Sequence, residues 1–287
     1  MLAQVLFNGI SIGCIFGIVG FTFTVIYNAS RVINFAQGDF LLVGVWVAST
    51  FLVSVRAPTF ITICLVVVIS GLVGLAMSRF VVGHLFQRET PVLTIIIATM
   101  GAAMMMTGTV GGVTKYDWIP VPAVFGQKTW HLFNIPIGSQ ETLIIVITAI
   151  LVSGYHLILT KTTIGRALRA TAYNKDMATL VGIQPLRMVD FAFVLSAAMA
   201  GLAGYMVGPI SAPYALMGFP YAIKGFIAAV LGGLGNPYGA LIGGIFLGIV
   251  TTFATGYISS AAAEILSFVL LLAVLIVRPR GLLGERE

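Results

Sequence analysis

The stretch AIKGFIAAVLGGLGNPYGALIGGIFLGIVTTFATGY, residues 222–257, decides how this chain folds. Lys224 is its single charged residue. A helix needs about 20 apolar residues to cross a bilayer, and this run is too long for one simple crossing. Gly232, Gly233, Gly235 and Pro237 interrupt it in the middle. Glycine and proline punctuate helices, so the run reads as a half-helix, a turn and a full helix.

Outward from this stretch, further apolar runs occupy 4–27, 40–55, 59–78, 91–112, 141–160, 189–208 and 261–277. None shows sustained in–out alternation, which leaves α-helices as the way to satisfy the backbone in lipid. The expected fold is all-α, a polytopic membrane protein of about eight transmembrane helices plus broken or re-entrant segments. It forms one transmembrane domain over 1–287. Composition agrees: 59% of the 287 residues are hydrophobic and 8% charged, against about 25% charged in an ordinary soluble domain. Too few charges remain to cover a soluble surface. That excludes a soluble enzyme, a disordered tail and a nucleic-acid binder, despite the net charge of +6.

The basic residues set the orientation. Lys161, Arg166, Arg169, Lys175 and Arg187 lie on one segment, Arg278, Arg280 and Arg286 on the tail, and Arg79 and Arg88 on a short loop. These are assigned to the cytoplasm, and Arg56, Lys115, Lys128 and Lys224 to the opposite side. Arg31 follows the first span on the cytoplasmic side, which places the N-terminus outside and the C-terminus inside. With 222–257 as a double crossing the scheme closes, which supports the split of that run; a re-entrant passage is the alternative. The first run has no basic n-region and is too long for an h-region, so it reads as a span and not a signal peptide. The 113–140 loop is external, with Trp118 and Trp130 either at lipid headgroups or on a binding face.

Cys14 and Cys64, both in apolar runs, rule out a disulfide framework or a metal cluster made by this chain alone. His84, His131 and His156 lack ligand spacing, so no metal site and no catalytic group is assigned. Asp39, Asp190, Glu264 and Lys224 sit at or near run edges. A proton relay or ion-coupled carrier usually places such groups at depth. Gly9, Gly13 and Gly17, and the pairs Gly239–Gly243 and Gly244–Gly248, repeat at four residues. Small residues at that spacing let backbones approach, within one chain or between subunits.

Two polar breaks, Asn34–Asp39 and Gly232–Gly239, fall in different halves of the chain. Paired interruptions point to a transport path; plain loops or packing kinks are the alternative. The first break follows its span so closely that a re-entrant turn near the membrane surface is expected. The candidate path residues are Asn34, Gln37, Asp39 and Asn236. The segment 161–188 is the one sizeable internal polar stretch. Thr162 or Thr163 caps a short helix to Tyr173, Asn174 closes it, Asp176 caps a second, Gly182 closes that, and Pro185 starts the next span. Its Ala, Leu, Met and Arg content suits a docking partner, or a basic anchor on anionic lipid.

Four stretches now carry a resemblance: Ile33–Asp39, Gly165–Ala170 with Ala178 and Gly182–Ile183, Ala228–Ala240, and Arg278–Gly284. In this order the chain resembles the branched-chain amino acid permease family of ABC importers, in its LivH-type subunit. Gln37 stands where that family usually has His, and Asp39 where it has Glu; both keep polarity and alter reach. The resemblance implies a homologous second permease, two cytoplasmic ATPase subunits and a periplasmic substrate-binding protein. It implies a multi-pass protein of the bacterial inner membrane for branched-chain or similar hydrophobic amino acids. Gly165, Arg166, Arg169, Asn174, Asp176 and Gly182 are then the ATPase-coupling residues. No G-x-x-x-x-G-K-[ST] pattern occurs, so ATP is expected on the partner ATPases, with no cofactor in this chain. The rival readings are a stand-alone secondary transporter or channel, and a membrane-embedded enzyme that lacks any nucleophile constellation.

Overall fold

The computed structural model describes residues 2–87, 90–124, 126, 129–132, 135–278 and 281–283. Arg88, Lys128, Arg280 and Arg286 of the orientation argument lie outside these residues, as do Pro279 and Gly284 of the tail motif. Among the described residues nine helices are long and apolar enough to cross a membrane. The elements are α1 (Leu2–Ser30), α2 (Gln37–Ser49), α3 (Thr59–Met77), α4 (Gly83–Gln87), α5 (Val92–Thr114), β1 (Thr129–Leu132), β2 (Ile135–Gly138) and α6 (Ser139–Lys161). They continue with α7 (Thr163–Tyr173), α8 (Lys175–Leu180), α9 (Pro185–Ser211), α10 (Gly218–Gly232), α11 (Pro237–Tyr257) and α12 (Ser260–Val277). Single π-helical turns extend α2 over Thr50–Ser54 and join α3 to α4 over Ser78–Val82. The chain is an all-α polytopic membrane protein, with one small two-stranded ribbon.

Helix α1 is the hub. Its 29 residues span about 43 Å at 1.5 Å per residue. It is apolar on every side, as a helix enclosed by others must be. Its glycine stripe meets the second glycine stripe within the same chain. Gly17 lies on Gly244 and Gly13 on Gly248, backbone to backbone. A Cβ on Gly13 would stand 2.6 Å from the Ile245 Cα and 2.8 Å from its carbonyl oxygen. Gly9, Gly13 and Gly17 with Gly244–Gly248 thus build the α1–α11 contact, and Gly239–Gly243 packs α11 on α10, all within one chain. Gly44 and Gly204 serve the α2–α9 crossing in the same way, each against backbone of the other helix. Around this centre α5, α6 and α12 expose Met104, Met105, Ile150, Leu157, Leu272 and Ile276. An apolar periphery of this kind belongs against lipid or another apolar surface.

The 222–257 stretch divides where expected, into α10, a turn at Gly233–Asn236 and α11, but its first part belongs to a span long enough to cross and is not a half-helix. Gly233 and Gly235 take positive φ of 104° and 107°, which a Cβ would oppose. Helix α10 starts earlier than hydropathy suggests, because a 3-10 turn at Ala215–Met217 leads into Gly218. The full crossing is Ala215–Gly232. Lys224 therefore sits well inside a span and not at its edge, with Nζ 5.1 Å from the Phe16 ring centroid. This corrects its assignment to the far side. It also removes the generalisation that ionisable groups avoid depth. Asp190 behaves as an edge residue: Ser78 donates to Oδ1 at 2.6 Å and Arg79 pairs with Oδ2 at 3.4 Å.

The first break is re-entrant but not superficial. Arg31, at φ 56°, ends α1 in the left-handed region, and the chain folds back between helices. Asn34 and Gln37 are fully buried. Gln37 Nε2 donates to Thr22 Oγ1 at 2.6 Å. Thr22 lies eight residues before the end of α1, about 12 Å along the axis. So α2 begins within the packed interior. The described residues of the 113–140 segment are not all loop. Ile119 N donates to Pro213 O at 2.8 Å, and β1 pairs antiparallel with β2 from Thr129↔Gly138 to Leu132↔Ile135. Trp118 is exposed.

Candidate functional site

Two regions gather the candidate residues. The first is the elbow α7–α8. Thr162 caps α7, its Oγ1 accepting from Gly165 N at 3.0 Å. Asn174 both closes α7 and caps α8: its Oδ1 accepts from Asp176 N and Met177 N, each at 3.0 Å. Asp176 was expected in that role and instead occupies the first turn, where an acid complements the helix dipole. Gly182 turns the chain with φ 82°, and Pro185 opens α9. Gly165 is buried against Ile158 O and Leu159, so α7 sits directly on the end of α6. Arg31 Nη2 donates to Ala172 O at 2.8 Å, tying the elbow to α1.

The outer side of this elbow is a shallow groove lined by Arg166, Arg169, Tyr173, Asn174, Met177 and Val181. Tyr173 is 92% exposed, Leu180 82% and Val181 75%. A rigid base thus presents apolar side chains and two arginines outward. Leu168, Thr171 and Ala178 face inward. Sequence spacing identified the arginines; it did not single out Tyr173 or Val181, whose exposure depends on the angle between the two helices.

The second region is the re-entrant turn. Asn34 Oδ1 accepts from Ala36 N at 3.1 Å, leaving Nδ2 buried without a partner. Gln37 Oε1 is likewise buried without one. Asp39 is 3% exposed and accepts on Oδ1 from Thr107 Oγ1 at 2.6 Å. Phe35 N donates to Thr99 Oγ1 at 3.4 Å. Sequence reasoning missed Thr99 and Thr107. Their signal was two hydroxyls eight residues apart in an apolar span, which puts them near one helix face.

Asn236 does not join this group. Its Oδ1 accepts from Gly239 N at 3.1 Å and caps α11, and its Nδ2 donates to Leu283 O at 3.1 Å. Leu282 N and Leu283 N donate to Leu231 O and Gly232 O, at 2.8 and 3.1 Å. The tail therefore satisfies carbonyls that the end of α10 would otherwise leave open. Asn28 Nδ2 reaches Gly235 O at 2.8 Å. Gly281, at φ 80°, would place a Cβ 2.5 Å from Gly233 Cα. Gly281→Val should detach the tail. A cysteine at position 283 should then become several-fold faster to label, since both clash and left-handed φ oppose valine. Unchanged labelling would show that the tail is not held at this point.

Residues 5–275 match the family described as branched-chain amino acid transport system / permease component. The chain belongs to this family. The permease is similar to the high-affinity branched-chain amino acid transport system permease protein LivH of Salmonella typhimurium, 30% identical over 299 residues, 99% of this chain and 96% of the relative. It is similar to the corresponding permease protein BraD of Pseudomonas aeruginosa, 29% identical over 99% of this chain and 96% of the relative. A probable branched-chain amino acid transport permease protein LivH of Methanocaldococcus jannaschii is 28% identical over 91% of this chain and 86% of its own length. No solved structure matches. Two of the four motifs that suggested this family are one site in space, since the tail of the permease docks on its own glycine turn.

Proposed function

We propose that this permease pairs with a homologous second permease in the bacterial inner membrane to form the path for branched-chain or similar hydrophobic amino acids. Two cytoplasmic ATPase subunits drive it, and a periplasmic binding protein supplies it. The chain itself catalyses nothing and holds no cofactor; ATP binds to the partner ATPases. The observation that carries this reading is the α7–α8 elbow. Apolar side chains and arginines displayed on a fixed base suit a protein partner better than free solvation. Gly165, Arg166, Arg169, Asn174, Asp176 and Gly182 transmit the motion of the ATPase. Asn34, Gln37 and Asp39 line or gate the path, and Asn236 anchors the turn beside it.

Orientation follows from the same end. Arg31 touches the elbow, and the tail touches the turn that Asn28 of α1 holds. Basic residues thus gather at the C-terminal end of α1, in support of an outside N-terminus and a cytoplasmic C-terminus. Thr179→Cys should accordingly label only from the ATPase side. In proteoliposomes holding all partner subunits, leucine uptake should require ATP and the binding protein. Absence of uptake with every partner present would overturn the substrate class. Asp39 and Lys224 within spans are the observations that favour a stand-alone carrier; ion-driven uptake by the purified chain alone would establish that reading instead.

A further inference from the structure

Asp39 opens onto a cavity of about 500 Å3 between α2, α5 and the α9–α10 connection. Among the described residues Asp39 is the only charged one in its lining; Phe35, Met100, Met104, Leu216 and Phe219 supply most of the wall. Thr107 is the hydrogen-bond partner of the carboxylate among the described residues, on Oδ1. No basic side chain stands within ion-pair distance of it among those residues. A buried carboxylate without a cation carries a large desolvation penalty. The position of Asp39 in the first turn of α2 relieves part of that penalty through the helix dipole. Asparagine would complete that turn as well, so the dipole alone does not call for a charge.

The cavity asks for a ligand with one positive end and an apolar body. An ammonium group would pair with Asp39 and stand near the Phe35 and Phe219 rings, whose faces attract cations. Methionine side chains at 100 and 104 adapt to branched shapes. Nothing basic lines the wall among the described residues, so the wall offers a ligand carboxylate no partner. We infer that this cavity receives the ammonium end of an amino acid with an apolar side chain, Asp39 pairing with the nitrogen and the Met100–Met104 wall taking the side chain. The inference rests on the transport reading above and names the residue that selects the amine.

The test uses the importer reconstituted with its partners, carrying Asp39, Asp39→Asn or Asp39→Glu. Two leucine-sized probes, 3-methylbutylamine and 3-methylbutanoate, are added as inhibitors of leucine uptake. The amine should slow native uptake and the acid should not. Asp39→Asn should lower uptake at least about tenfold and abolish sensitivity to the amine, because a hydrogen bond to a charged group carries more than one decade of affinity. Permease level should be unchanged, and Asp39→Glu should restore uptake. Asp39→Asn transporting within twofold of native, or amine and acid acting alike, overturns the site. Failure of native uptake counts against the transport reading instead. The site is then read on the purified permease, where 3-methylbutylamine should raise the melting temperature of the native chain and not of Asp39→Asn; equal shifts overturn it.

Discussion

Gly13→Leu should reduce the permease in the membrane to about a tenth of its native level or less, as a stability loss above a few kcal/mol does in cells. At this position a side chain would meet the Cα and carbonyl of Ile245 and the carbonyl of Gly244. Overpacking costs roughly 1–3 kcal/mol when side chains can yield. Here the obstacle is backbone of α11, and α11 is fixed in turn by Gly243 against the carbonyl of Ala228. Relief requires separating α1 from α11, which opens the centre of the molecule. Gly154→Leu supplies the contrast: a Cβ there has nothing within 4 Å. Leucine should be tolerated at 154 and gain about 0.5–1 kcal/mol of helix propensity over glycine. Fluorescence of a C-terminal reporter, followed by size-exclusion chromatography in detergent, reads both. Equal levels of the two variants would show that the stripe is not a contact.

What was legible in the sequence follows from which signals are local. The break at 232–239 was readable because two glycines with positive φ and a proline act within a few residues. The elbow was readable for the same reason, from Thr162, Asn174, Gly182 and Pro185; only the cap of α8 was assigned two residues too late. The glycine repeats showed that something approaches α1, but their partner lies more than 200 residues away in the chain and pairing is a tertiary property. Depth was the quantity hardest to read. Hydropathy ends the first run near Tyr27, whereas α1 continues through Asn28, Ala29 and Ser30, where Asn28 and Ser30 find backbone carbonyls to bond. The re-entrant turn then has to climb back inside, and Gln37 finds Thr22. Lys224 was misplaced because α10 begins at Gly218, before the apolar run.

Inverting the charge pattern of the elbow with Arg169→Glu and Asp176→Lys should lower ATP-dependent uptake at least about tenfold, the effect of losing one interfacial arginine of ordinary strength. The exchange leaves net charge unchanged, so any effect comes from placement and not from solubility. Both side chains are exposed, and substitutions at such positions usually alter stability by no more than about 0.5 kcal/mol. Neither holds the elbow together. That task falls to Thr162, Gly165 and Asn174, to Arg31 reaching Ala172, and to the buried faces of Leu168 and Ala178. The base therefore keeps its shape while the surface offered to the ATPase is reversed. Permease level should match native, co-purification of the ATPase should fall, and substrate-stimulated hydrolysis should drop with uptake. The cavity at Asp39 should be untouched, so amine binding to the purified permease should persist. Uptake unaffected by the double exchange would sink the coupling role of the elbow and leave α7–α8 as a basic anchor on the lipid surface.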